Sequence, residues 1–154
     1  MPISSLNSSG KNTISAGGDV ITSNVLLSGR LDVSEIREVM NDISIISASV
    51  VVSYEDANVF YVTSTPAANF TINLTNSPTD NGRMFGVAFV VTQGSTGYIP
   101  NVFAINGTVQ TIKWLNSSAP TPTSSSGKID IFNFTILRRS DAWIVLGTAN
   151  TNLG

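Results

Sequence analysis

The chain has 154 residues, enough for one domain with a real hydrophobic core and too few for two. Apolar residues make up 42% and charged residues only 12%, about half of the ~25% usual in soluble domains, so 21 Ser, 16 Thr and 15 Asn must supply the wet surface. A net charge of −2 with scattered basic residues excludes a phosphate-tracking surface and hence a nucleic-acid partner, and the absence of Cys and His excludes disulfides, thiolate metal sites and Ser-His-Asp or Cys-His catalysis.

Residues 1–30 read as an extended polar N-terminal arm. Ser8-Ser9-Gly10 and Gly17-Gly18-Asp19 break it, and only Val20-Ile21 and Val25-Leu26-Leu27 are apolar, so it makes no core by itself. The opening Met-Pro-Ile-Ser-Ser has no basic stretch followed by an apolar one, and no run approaches the ~20 apolar residues of a membrane span. The expectation is a soluble product delivered whole, with no membrane partner.

Residues 31–44 are expected to form one short amphipathic helix. Asp32 can cap it, Glu35 three residues later completes a capping box, and no Gly or Pro interrupts it. Val33, Ile36, Met40 and Ile43 recur at a 3-4-3 spacing and make one stripe, flanked by Val39. Two readings stay open for that stripe. It lies on its own domain's sheet, or it meets copies of itself from neighbouring subunits, in which case these four residues are oligomer or docking contacts. Two heptads are too few to assemble alone, so the second reading needs an oligomer held by the domain that follows.

From residue 45 to 150 the pattern becomes that of strands rich in Val, Ile, Phe and Thr, with turn clusters every 8 to 12 residues. Strands are predicted near 45–53, 58–64, 69–75, 83–93, 101–106, 109–114, 128–138 and 142–148. Phe70, Ile72 and Leu74 alternate with Thr71, Asn73 and Thr75, the pattern of a strand with one buried face, and Phe132, Phe134 and Ile136 repeat it. Pro78 to Gly82 and Gly94 to Gly97 suit tight turns, and Asn106-Gly107 is the strongest two-residue hairpin signal. About eight strands with no helix between them predict a mainly β fold: an antiparallel β-sandwich, jelly-roll-like, behind the arm and helix. The segment Asn116 to Gly127 is one long loop, stiffened by Pro120 and Pro122.

Candidate sites are few. Glu55-Asp56, Asp80, Asp130 and Asp141 are the carboxylates to test for sugar hydrolysis, which needs two acids about 5 to 9.5 Å apart, but turn-capping or solvation accounts for each of them. Adjacent carboxylates on an extended segment point to opposite faces, so Glu55 and Asp56 pair poorly. No calcium loop or phosphate loop occurs, so no metal and no cofactor is expected. The Asn-x-Ser/Thr triplets at Asn69, Asn73, Asn106 and Asn116 are what so much Asn, Ser and Thr yields by chance. Trp143 and Trp114 sit in core-like patterns. Tyr98, after a Gly-rich turn, is the best candidate for an exposed ligand contact, joined by Pro120 and Pro122 of the long loop.

Several separated motifs carry a resemblance: Asn69-Phe-Thr-Ile-Asn-Leu-Thr-Asn76, Val91-Thr-Gln-Gly-Ser-Thr-Gly-Tyr-Ile-Pro-Asn-Val-Phe103, Thr111-Ile-Lys-Trp114, Ala119-Pro-Thr-Pro-Thr123, Lys128-Ile-Asp-Ile-Phe-Asn-Phe-Thr-Ile136 and Ala142-Trp-Ile-Val-Leu146. The stretch from Val59 to Leu146 resembles a domain of virion structural proteins of tailed phages, aquatic cyanophages among them, which often ends longer fibre-like proteins. The resemblance implies a non-enzymatic protein of the particle exterior, made in the host cytoplasm, and offers no catalytic residues. Its partners would be itself, as a homotrimer, and other virion proteins, either the major capsid protein or tail proteins. About 50 residues precede the domain here, less than a long shaft needs, so a head decoration or knob is favoured. The alternative is a tail-fibre or tail-tip component touching a host surface glycan. A virion-borne polysaccharide hydrolase using Asp80 or Asp130 and a stand-alone lectin are remoter readings.

Overall fold

A computed structural model describes residues 38–154. Ten strands follow one another: β1 Met40–Ile43, β2 Ser49–Ser53, β3 Val59–Val62, β4 Phe70–Thr75, β5 Arg83–Thr92, β6 Pro100–Ile105, β7 Thr108–Gln110, β8 Ile112–Trp114, β9 Ile129–Arg139 and β10 Ala142–Leu153. The only helical element among the described residues is a 3-10 turn, Leu115–Ser117. The fold is mainly β, as the composition and alternation predict.

Two mixed sheets result, one six-stranded in the order β1-β3-β5-β9-β10-β8 and one four-stranded in the order β2-β4-β6-β7. From β1 to β6 the chain passes from one sheet to the other at every strand. Neighbours within a sheet are therefore two strands apart in sequence and run parallel: Val59 pairs with Ala88, Ser49 with Thr71, and Leu74 with Ile105. Parallel neighbours need a long crossover, usually a helix. Here the crossover is a strand of the opposite sheet, which makes the first six strands three turns of a flattened coil.

This corrects the wholly antiparallel, jelly-roll expectation. Among the described strands, β5–β9, β9–β10 and β6–β7 pair antiparallel, whereas β1–β3, β3–β5, β2–β4, β4–β6 and β8–β10 are parallel. Alternation reports that one face is buried and is silent about the direction of the neighbour.

The expected helix is corrected at its C-terminal end. Met40 and Ile43 lie on β1, whose residues Met40 to Ile43 pair in parallel with Val59 to Val62. Val33 and Ile36, with the capping residues Asp32 and Glu35, fall outside the described residues. In β1 the open edge of β3 supplies a ladder, and weak helical propensity yields to that pairing. Met40 and Asp42 face outward, and Ile43 packs against the core.

One apolar cluster lies between the sheets. Phe60, Phe89, Phe132 and Phe134 enter it from the six-stranded sheet, and Phe70, Ile72, Leu74 and Phe103 from the four-stranded sheet. Phe103 meets Phe134 across the layers at 4.7 Å between ring centroids, and Phe89 meets Phe134 edge-on at 6.2 Å. Each fully buried Phe contributes roughly 2–3 kcal/mol of transfer free energy. Arg138 closes one end of the core by lying 4.6 Å over the Trp143 ring and donating from Nε to the Thr79 carbonyl at 2.8 Å.

Candidate binding surface

The long loop is held down by a polar cluster that begins with Asp130. This carboxylate is completely buried at the start of β9. Among the described residues it has no cationic partner and accepts four hydrogen bonds: Gln93 Nε2 at 3.0 Å and the Thr123 amide at 2.8 Å on Oδ2, and the Thr123 hydroxyl at 2.6 Å and the Asn152 amide at 3.0 Å on Oδ1. Gln93, also buried, uses the rest of its amide on the backbone of Tyr98, donating to its carbonyl at 2.8 Å and accepting from its N–H at 3.0 Å. Asn69 Oδ1 accepts the next amide, that of Ile99, at 3.0 Å. A buried carboxylate is tolerated when donors replace its water, and here they do.

Three of the sequence-derived contact residues can now be placed. Tyr98 is half-buried, and its backbone is fixed by Gln93. Pro122 packs beside Gly97, where an added Cβ would come within 2.9 Å of Pro122 and 2.5 Å of the Thr123 carbonyl. The 94–99 turn and the 122–124 part of the loop are thus one surface, joined again by the Gly97 amide donating to Ser124 Oγ at 3.2 Å.

Pro120 belongs to a separate groove of about 230 Å³ with Trp114, Leu115, Asn116, Ser118 and Thr148. The Trp114 ring lies on Gly147, whose bare α-carbon leaves room for it, and touches Phe134 at 5.7 Å between centroids. Trp114 and Trp143 are both half-buried and pack against the core, matching their core-like patterns. Leu115, at the groove's rim, is 65% exposed.

Asp80 and Asp130 do not form a hydrolytic pair. Asp80 precedes β5 at the end where Arg83 pairs with Arg138, while Asp130 pairs with Val91 near the other end. Eight strand steps at ~3.4 Å put these ends about 27 Å apart, well beyond the ~9.5 Å limit for two acids serving one glycosidic bond. Glu55 and Asp56 are exposed in a turn, and Asp141 accepts from Asn81 Nδ2 at 3.0 Å. Among the described residues no group of three or more Asp, Glu, His or Cys could hold a metal, and no helix is long and apolar enough to cross a membrane.

The sequence reading missed the Gln93–Asp130–Thr123–Asn152 cluster. Its members are far apart in the chain and look like ordinary turn residues. The one available signal was an aspartate on the inward side of the alternation that continues through Phe132, Phe134 and Ile136.

No family model, no curated protein and no solved structure matches the chain.

Proposed function

We propose that the protein is a non-enzymatic structural component of a tailed-phage virion exterior. It is a self-associating knob docked by its N-terminal segment on other virion proteins, with a head decoration favoured. The observation that carries this reading is the use made of polar groups. Among the described residues every buried side-chain polar atom has a partner, and the one fully buried carboxylate is spent on holding a loop. That economy suits a body built to persist on a particle. The neutral Ser/Thr/Asn coat supports it, since uncharged contact surfaces have little electrostatic attraction to lose in salt.

A second reading, a tail-fibre or tail-tip component touching host glycan, is favoured by the groove beside Trp114 and Pro120. There an aromatic edge, an exposed Leu115 and the polar Asn116, Ser118 and Thr148 line one shallow surface. Aromatic and small polar groups together can stack on and hydrogen-bond a sugar.

The test is particle binding by the full chain and by a chain beginning at Glu38, which keeps β1 and with it the edge of the six-stranded sheet. The shortened chain is expected to fold with an unchanged circular dichroism spectrum and to leave particles lacking the protein undecorated. Decoration by the shortened chain overturns the docking role of residues 1–37. Failure of the full chain to bind any part of the particle overturns the virion reading.

A further inference from the structure

Among the described residues, the outer face of the six-stranded sheet is uncharged across its middle and charged only at its rim. On the three long central strands, β5, β9 and β10, register sets Met84, Leu137 and Ile144 in one outward row and Val90 with Ile131 in another, and the two rows between them hold Leu146 and Ala88 beside the neutral polar Thr135, Asn133 and Thr148. Met84 is 70% and Leu146 40% exposed. The Tyr61 hydroxyl is bonded across the face to Thr92 Oγ1 at 3.2 Å, so that side chain is already satisfied where it lies. Charge enters only at the borders: Asp42 on β1, Lys113 on β8 and Arg139 at the end of β9. A centre free of charge inside a charged rim is the compositional mark of a protein interface.

We infer that this face pairs two copies of the chain, sheet against sheet, about a two-fold axis that lies between the sheets and parallel to their strands. The inference deepens the self-association in the proposed function and rests on it.

Area and charge both point to a second copy. Taking strand spacing as ~4.8 Å and rise as ~3.3 Å, the face projects about 650 Å², close to the ~800 Å² that each partner buries in a stable complex. Glu38 and Gly86 line one small hollow, and Gly86 pairs with Thr135, Thr135 with Leu146, and Leu146 with Lys113. Glu38 and Lys113 therefore stand at the same level on opposite edges of the sheet. An axis parallel to the strands sets each β1 edge over the partner copy's β8 edge, and so brings Glu38 towards the partner copy's Lys113 twice. A crossing angle of about 30° between aligned sheets shifts edges about 12 Å from the axis by about 6 Å, a shift that a flexible lysine stem spans. An isologous contact of this kind closes on itself. The same face serves a two-fold pair more directly than the three-fold knob expected from the sequence.

Light scattering and sedimentation of the full chain at tens of micromolar test the inference, with circular dichroism as the check on folding. The expected mass is twice 16.3 kDa. Ile131→Glu and the more exposed Leu146→Glu are each expected to give a folded monomer. Glu38→Lys or Lys113→Glu alone is expected to weaken pairing about 5- to 10-fold, and the double exchange to restore it, which a merely structural role for either residue would not produce. A monomeric full chain overturns the inference, as does a dimer indifferent to Leu146→Glu or a double exchange that restores nothing. A chain that decorates particles as a monomer overturns the pairing alone. One that pairs yet never binds particles overturns the virion reading alone.

Discussion

Asp130 shows how a single residue fixes a loop. Its two oxygens each face two donors, and one donor on each oxygen is a backbone N–H, of Thr123 or Asn152, that cannot reverse direction. In Asp130→Asn the amide nitrogen must occupy one of the two oxygen positions and point hydrogens at at least one N–H. The expected cost is about 2 kcal/mol, that of leaving a buried donor unsatisfied. It should appear as a lower urea midpoint and as faster proteolytic cleavage within residues 116–127, because Thr123 is the loop's anchor. Gly147 answers to packing instead. An added Cβ would lie 2.6 Å from the Trp114 ring, so Gly147→Ala must displace the ring. Overpacking of this kind costs about 1–3 kcal/mol, and a red shift in tryptophan emission would report the ring's move towards water, with Trp143 as the constant background.

At the scale of elements, the hairpins separate what local chemistry decides from what it does not. Asn106-Gly107 joins β6 to β7 with φ of 47° and 81°, the mirror-image turn that this pair signals in the sequence. Ser140-Asp141 makes the same kind of turn between β9 and β10, with φ of 49° and 61°, from residues less suited to it. Two bonds with Asn81 compensate: the Asp141 amide donates to Asn81 Oδ1 at 2.9 Å, and Asn81 Nδ2 donates to Asp141 Oδ1. Ser140→Asn places a residue tolerant of positive φ there and leaves those bonds alone. It is expected to raise stability by about 0.5 kcal/mol, read as a higher urea midpoint.

The same comparison explains how far the fold was legible in the sequence. Strand positions were readable because burial of one face writes period two into Phe70–Leu74 and Phe132–Ile136. Strand partners were not, because a coil of parallel strands and a stack of hairpins have the same alternation. At residues 40–43 the apolar spacing fitted a helical stripe as well as a strand, and the free edge of β3, which no local pattern announces, decided it. Of the candidate contact surface, the loop's position and its prolines were legible. Its anchoring by Asp130 depends on Gln93 and Asn152, which only the fold brings near.

Across the whole molecule, topology should set the order of folding. β9 and β10 are long, joined by a two-residue turn and paired from Ala142–Arg139 inward, so their hairpin closes at small entropic cost. β1 and β2 sit at the outer edges of their sheets, and each waits for a parallel neighbour that must itself first cross between layers. Folding dominated by such non-local pairing belongs in the millisecond-to-second range. The hairpin residues Ile136 and Val145, both fully buried, would then be partly packed in the transition state, whereas Val52 on β2 would not. Val145→Ala is therefore expected to slow refolding in stopped-flow measurements. Val52→Ala should leave the refolding arm almost unchanged and steepen its cost into faster unfolding. The reverse assignment, with Val52 controlling refolding, would mean that the coil nucleates at its open end and the hairpin docks last.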